Sequence, residues 1–212
     1  MVEYNKIETV YERDIDGSKK LLEGKFRNDA VKYLADNQWI FTEKIDGTNI
    51  RVHWDGHRIT FGGRTDRAQI PAHLLTKLEK IFLTNEVEEL FEQKFGEREV
   101  ILFGEGYGAK IQNGGNYRPD VGFILFDVMI GDNYQPRERV EDIAKCFDLE
   151  IVPIVLRGTI KDGVEFVKQN PPSTIGTAMM EGVVGKPEVE LRDRCGKRVI
   201  VKIKARDFKQ EV

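Results

Sequence analysis

The sequence predicts an α+β fold built on antiparallel sheets. Two observations carry this prediction: short runs rich in β-branched and aromatic residues recur along the chain, and helical patterns interrupt them. The strand-like runs are WIFTEKI, IRVHW, RITFGG, EVILFGE, GFILFDVMI, EIVPIVL, EGVVGK and RVIVKIK. Between the second and third of these runs lies Asp55-Gly56, which predicts a tight hairpin of type I′, because that turn needs positive φ values.

Four stretches predict helices between these strands. Residues 71–94 begin with Pro71, which suits a first helical turn, and place leucine, isoleucine and phenylalanine side chains on one face. Residues 137–147 show a second amphipathic pattern, and shorter helices are expected near residues 28–36 and 162–169. No low-complexity linker or internal repeat divides the sequence, so we expect one compact domain.

Composition and cysteine usage narrow the class of protein. The 212 residues are 40% hydrophobic and 33% charged, as in a globular protein, and no apolar run is long enough to cross a bilayer. The N-terminal MVEYNKIETV lacks the apolar core of a signal peptide. Cys146 and Cys195 are far apart in sequence, which indicates a reducing compartment. We therefore expect an intracellular, cytoplasmic protein without a membrane partner, of cellular or viral origin.

Charge is unevenly distributed along the chain. The formal net charge is −3, yet residues 182–212 carry nine Lys/Arg against five Asp/Glu, so the rest of the chain is distinctly acidic. A basic C-terminal end on an acidic body fits a localised polyanion site. A basic terminus that is simply solvated explains the same pattern equally well.

Three patterns invite a functional interpretation when each is taken alone. Residues 104–108 read GEGYG, which is not the glycine spacing of a phosphate-binding loop. Lys202 and Lys204 are two apart in a Val/Ile-rich strand, so both ammonium groups share one face. Solvated lysines on a half-exposed strand remain the commoner explanation. Lys44, in FTEKIDGTNI, is equally ambiguous from its local sequence.

Six short motifs taken in order are more specific than any one of them. They are EKIDGTN at 43–49, GGRT at 62–65, FGEG at 103–106, ILFDV at 124–128, EGVVGKP at 181–187 and VKIK at 201–204. The set resembles the covalent nucleotidyltransferase superfamily of ATP-dependent polynucleotide ligases and mRNA capping enzymes. Within it, the chain is most similar to the RNA ligase family that includes the phage double-strand-type RNA ligases, and Asn49 favours that branch.

The resemblance implies a nucleotidyltransferase (ATP-grasp-like) domain with two packed antiparallel sheets, flanking helices and the nucleotide in the groove between the sheets. It implies ATP as co-substrate, Mg²⁺ or Mn²⁺, and RNA ends as partners, or else DNA or RNA/DNA nicks. We expect residues 1–212 to be a single stand-alone adenylyltransferase domain, monomeric, with no OB-fold or other C-terminal domain.

The resemblance also implies residue roles, with Lys44 as the nucleophile that takes AMP. The other motif residues would serve as an adenine contact (Glu43), an active-site asparagine (Asn49), ribose contacts (Arg64 and Glu105), a base-stacking aromatic (Phe126), a metal-organising acid acting through water (Glu181), and α-phosphate contacts (Lys202 and Lys204). An amine with a pKa near 10.4 is mostly protonated at pH 7 and cannot attack phosphorus, and neighbouring cations favour its neutral form.

The basic C-terminal region is the expected RNA contact. Four of its residues lie outside the six motifs, namely Arg192, Arg194, Lys197 and Arg198. The predicted function is an RNA ligase that joins 3′-OH to 5′-phosphate ends through lysyl-AMP and an adenylylated 5′ end. The alternatives are a non-catalytic nucleotide- or nucleic-acid-binding module of the same fold, a DNA ligase, and a capping-type nucleotidyltransferase.

Overall fold

The computed structural model of the protein describes residues 1–17 and 20–208. Its strands, in chain order, are β1 (Glu8–Thr9), β2 (Tyr11–Arg13), β3 (Leu21–Phe26), β4 (Trp39–Glu43), β5 (Thr48–Trp54), β6 (Ile59–Gly62), β7 (Val100–Gly108), β8 (Val121–Ile130), β9 (Asn133–Tyr134), β10 (Glu150–Ile151), β11 (Ile154–Gly158), β12 (Gly182–Pro187) and β13 (Val201–Lys204). Its helices are α1 (Asp29–Tyr33), α2 (Ala72–Phe82), α3 (Asn85–Phe95), α4 (Arg137–Cys146) and α5 (Ile160–Lys168), with 3₁₀ turns at Gly114–Asn116 and Ala205–Asp207.

The chain folds into two compact units. The first unit comprises Met1–Asn5 and Asp46–Val152, and the second comprises Lys6–Ile45 and Pro153–Val212. The described residues of these units form three sheets together with helices, which confirms a mixed α+β fold with several sheets. Most strand pairs are antiparallel, as expected. Two edge pairings, β1 with β13 and β8 with β10, are parallel, which the hairpin-rich pattern did not predict.

The first unit contains a sheet of order β10-β8-β7-β5-β6, to which β9 adds beside β8. One face of this sheet is covered by helices α2, α3 and α4, because alternate strand residues and the apolar helix faces form a common core. Leu78, Phe91 and Leu102 are fully buried there. The side chains on the opposite sheet face include several of the motif residues.

The second unit contains a sheet of order β1-β13-β12-β4-β11 and the small β2-β3 sheet. Its core packs Trp39, Phe41, Val183 and Ile203 against α5 and the N-terminal strands. Helix α5 begins at a capping box, in which the Thr159 side chain and the Asp162 carboxylate each bond the other residue's backbone N–H.

Several local expectations need adjustment. The stretch 71–94 was expected as one helix but forms two, because Thr84 is extended and its hydroxyl accepts from the N–H of Val87, which caps a new helix. The Asp55-Gly56 hairpin forms, but only Gly56 has a positive φ. A type I′ turn needs positive φ at both central residues, so the expected type I′ turn is wrong.

The remaining helix predictions agree with the structure to within a few residues, and α4 covers nearly all of 137–147. Both cysteines are free and exposed. Among the described residues, no helix combines the length and the apolar character needed to cross a membrane.

Candidate active site

Lys44 and Lys204 occupy one row of the larger sheet of the second unit. Strand β12 lies between β4 and β13, and its first residue, Gly182, pairs with Lys204. The backbone N–H of Lys44, one residue beyond β4, donates to the Gly182 carbonyl at 2.9 Å. Val201 and Ile203 are buried in the core, so Lys202 and Lys204 lie on the opposite face, as their spacing predicted.

Glu181 joins the two lysines of this row. Its Oε2 accepts from Lys44 Nζ at 2.5 Å and its Oε1 accepts from Lys204 Nζ at 2.6 Å. The side chains of Lys44, Glu181 and Lys204 are 24%, 19% and 14% exposed, so solvent screens these ion pairs only in part. Burial alone raises the pKa of Glu181, but the charges and hydrogen bonds of the two lysines outweigh it and lower the pKa.

Gly182 lies between Lys44 and Lys204 in this row, where β12 and β13 approach closely. Its φ is +153°, and a Cβ at this position would lie 2.1 Å from the carbonyl oxygen of Ile203. A side chain here would therefore strain the backbone of Gly182 and clash with the β13 backbone at Ile203 and Lys204. The EG pair at 181–182 is a structural requirement of the site as well as a sequence motif.

Glu43 is the last residue of β4, lies on the core side of that strand and is 1% exposed. One carboxylate oxygen accepts from the Ser173 hydroxyl at 2.5 Å, and the other accepts from the backbone N–H and the hydroxyl of Thr174 at 2.9 and 2.5 Å. These bonds fix the start of the segment that leads to Glu181. An adenine contact by Glu43 remains a prediction, and it would have to share a carboxylate that already has three donors.

In the first unit, Asn49 and Glu105 are direct cross-strand partners on β5 and β7, on the face away from the helices. The Asn49 side-chain oxygen is buried and accepts no hydrogen bond from any described residue. Buried acceptors are nearly always satisfied, so an orphaned one indicates a site for a donor from a ligand or water.

Phe126 sits at a β-bulge of β8. Leu125 pairs with Gly104 and Asp127 pairs with Phe103, so Phe126 is the extra residue between them. Bulges redirect side chains and are frequent beside active sites. The half-buried Phe126 ring makes an edge contact with Tyr4, with ring centroids 5.0 Å apart.

Arg64 lies just beyond β6 and is exposed. Its loop is held by a residue that the sequence did not single out, the fully buried Arg51. The Arg51 guanidinium donates to the Gly63 carbonyl at 2.7 Å and to Asp66 at 2.8 Å. It also donates to the carbonyls of Met1 and Val2. A buried arginine with four acceptors fixes the turn that presents Arg64.

The four expected RNA contacts lie in the basic hairpin, which we define as residues 191–199. Arg194 and Lys197 are exposed, and Arg192 donates to the Gly196 carbonyl at 3.1 Å. Arg198 differs, because its side chain is 1% exposed and makes a two-point ion pair with Glu190 at 2.5 and 2.7 Å. The fold accounts for the charge of Arg198 without a ligand. Lys209, at the end of the basic region, lies outside the described residues.

The described residues supply only part of the ligand shell that a divalent cation needs. Within residues 1–17 and 20–208, no group of three or more His, Cys, Asp or Glu side chains converges as a metal-binding cluster. Glu181 supplies one carboxylate beside Lys44. Mg²⁺ commonly takes one or two carboxylates and completes its shell with waters and substrate phosphates. The residues present therefore suit a cation organised through water.

The RNA ligase family model matches residues 37–204, which is most of the chain and all six motifs. The chain belongs to the RNA ligase family. No curated protein sequence matches this RNA ligase family member significantly.

Solved structures of the Naegleria gruberi RNA ligase share its fold. A ligand-free variant gives a TM-score of 0.69 at 17% identity, covering 98% of this chain and 57% of that one. The enzyme with pyrophosphate gives 0.65 at 19% identity, covering 97% and 62%. A variant with ATP and Mn gives 0.65 at 18% identity, covering 85% and 52%. This chain thus spans between 52% and 62% of the length of these solved chains.

Sequence reasoning missed the residues that support the first motif of this RNA ligase family member. The Asp46 backbone N–H donates to the Tyr117 hydroxyl at 3.2 Å, and Asn113 donates to the Asp46 carboxylate at 3.0 Å. A Cβ on Gly47 would lie 2.4 Å from the Gly106 carbonyl oxygen, which explains the glycine. The partners are some 70 residues away in sequence, and no local pattern connects them to Lys44.

Proposed function

We propose that this chain is an ATP-dependent RNA ligase that joins 3′-OH and 5′-phosphate ends through lysyl-AMP and an adenylylated 5′ end. The observation that carries the proposal is the row in which Lys44 and Lys204 each donate to one carboxylate oxygen of Glu181. Family membership supports the reaction class, and the ATP, AMP, Mn and pyrophosphate found with the Naegleria gruberi enzyme support the nucleotide chemistry.

The first step is the attack of Lys44 on ATP. The Lys44 ammonium loses a proton to solvent, and its lone pair forms a bond to the α-phosphorus. The bond from that phosphorus to the bridging oxygen breaks, and pyrophosphate leaves with the electron pair. Lys204, and Lys202 beside it, would stabilise the negative charge that develops on the α-phosphate.

Glu181 acts in this proposal as an ionised carboxylate. Its lowered pKa keeps it charged at neutral pH, so it is poorly suited to store the proton of Lys44. A divalent cation organised by Glu181 would neutralise phosphate charge and assist the departure of pyrophosphate. The carboxylate also holds both ammonium groups within reach of one phosphate.

Two further steps transfer the nucleotide and join the ends. An oxygen of the RNA 5′-phosphate attacks the phosphorus of lysyl-AMP, the P–N bond breaks, and Lys44 is regenerated. The RNA 3′-OH then attacks the adenylylated 5′-phosphate, a phosphodiester forms and AMP leaves. We assign to Asn49, Arg64, Glu105 and Phe126 the nucleotide contacts that their motifs imply. The orphaned Asn49 oxygen and the bulge at Phe126 support this assignment.

The proposal is tested by incubating the protein with α-labelled ATP and Mg²⁺ and measuring label on the denatured chain. Lys44→Ala should fail to label because it has no amine, and Lys44→Arg should fail because the guanidinium stays protonated and cannot attack phosphorus. Lys44→Ala should still join a pre-adenylylated strand to a 3′-OH, because its AMP is already in place. An unlabelled wild-type chain would favour the non-catalytic binding module instead.

A further inference from the structure

A cavity of about 490 Å³ opens at the β1-β13 edge of the larger sheet of the second unit, and we call it the basic pocket. It is lined by Ile7, Thr9 and eight charged side chains. Six of these are cations, namely Lys6, Arg13, Arg27, Lys202, Lys204 and Arg206. The acids are Glu8 and Asp207. The pocket therefore carries a strong positive excess that the sequence spreads over both ends of the chain.

Both acids of the basic pocket are already engaged. Arg13 pairs with Asp207 at 2.6 Å, and Arg27 pairs with Glu8 at 3.2 Å. Lys6 and Arg206 are exposed and form no ion pair with any described residue. Unpaired, clustered cations repel one another, so such a cluster is stabilised when a polyanion binds.

The lining also indicates which part of a polyanion is bound. Among the described residues, Ile7 is the only apolar side chain that lines the pocket, and no aromatic side chain does. Proteins bind the bases of single strands by stacking them on aromatic side chains, and no described aromatic residue lines this pocket. Its cations suit the phosphate oxygens of a nucleic-acid backbone.

The pocket continues from Lys204 on β13 toward β1, away from β4 and from Lys44, which follows β4. Thr9 on β1 pairs with Lys202 on β13, and Lys202 pairs with Val184 on β12, which in turn pairs with Thr42 on β4. Three strand spacings separate β1 from β4, a distance of roughly 14 Å. An extended chain of phosphates, as in a nucleic-acid strand, suits this reach better than the compact triphosphate of ATP.

We propose that the basic pocket binds the sugar-phosphate backbone of the RNA strand whose end is joined, a role that rests on the proposed ligase function. The strand runs from the Lys204 row toward β1, held by Lys6 and Arg206 through phosphates and without base readout. Binding is therefore independent of sequence and strongly dependent on salt.

The test is a salt titration of the binding of a single-stranded RNA of fixed length. The double variant Lys6→Ser/Arg206→Ser removes two pocket cations, and Lys32→Ser/Lys161→Ser removes two exposed lysines of the same unit as a matched control. We expect the slope of log K against log salt to fall in magnitude by about 1.4 for the pocket variant, since each single-strand phosphate contact accounts for roughly 0.7. The control should keep the wild-type slope.

Parallel ATP labelling separates this proposal from the proposed function and from ATP binding. Coincident slopes for the two double variants would overturn the pocket proposal. Loss of labelling in the pocket variant with an unchanged RNA slope would overturn it too, and would assign the pocket to the phosphates of ATP. If the wild-type chain does not label, the ligase proposal fails, while the difference in slope still decides whether the pocket binds RNA.

Discussion

The basic hairpin and residues 200–208 that follow it are neighbours in sequence, and each has more Lys/Arg than Asp/Glu, yet their charges are used differently. In the hairpin, Arg198 is buried against Glu190, and the Asp193 carboxylate accepts from the backbone N–H groups of Cys195 and Lys197. From β13 onward, Lys202, Lys204 and Arg206 instead line the basic pocket.

The difference comes from register and not from charge density. On β13, alternate residues enter the core, so the intervening lysines must share the open face of the sheet. The hairpin pairs Arg192 with Arg198 across its two arms, and Glu190, just before the hairpin, forms the ion pair with Arg198. A count of lysines and arginines along the sequence cannot distinguish these two outcomes.

The largest expected difference between the regions is catalytic. Lys204→Ala should reduce the rate of ATP labelling by about 10²–10³, because it removes a cation from the developing charge on the α-phosphate. Lys197→Ala, a matched change in the basic hairpin, should label at nearly the wild-type rate. Equal labelling by both variants would show that the β13 face does not contact the phosphate.

Arg198 of the basic hairpin should matter for the free energy of unfolding and not for the rate of ATP labelling. Arg198→Ala leaves Glu190 without its buried partner and should cost about 3 kcal/mol of unfolding free energy. For a chain of this size, that corresponds to a fall in Tm of roughly 6–12 °C. Labelling by ATP should persist below the transition. A variant with the wild-type Tm that loses RNA binding would instead make Arg198 a ligand contact.

Much of the fold and the row of charged site residues could be predicted from the sequence. Strand composition and the helical patterns between the strands indicated the α+β class, and the two-residue period placed Lys202 and Lys204 on one face. The split of the chain into two units, the Glu43 bonds to residues 173–174 and the buried Arg51 depend on contacts between distant segments. Local patterns carry no information about such contacts.

The smallest predicted effect concerns pH. The folded-state pKa of Glu181 is lowered, so the stability it contributes is complete above its ordinary pKa of about 4.5 and is lost as pH falls through the folded value. The difference in unfolding free energy between wild type and Glu181→Gln should therefore shrink as pH falls below about 5. A difference that stays constant over that range would mean that the two lysines do not stabilise the carboxylate.

In the proposed reaction, Lys44 carries AMP within the row formed with Glu181 and Lys204. The site of attachment is found by incubating the wild-type protein with ATP and Mg²⁺, digesting it, and locating the adenylylated peptide by mass spectrometry. We expect one AMP per chain, attached to Lys44 and released when pyrophosphate is added. AMP on any other residue, or no covalent AMP at all, would contradict the proposed role of Lys44.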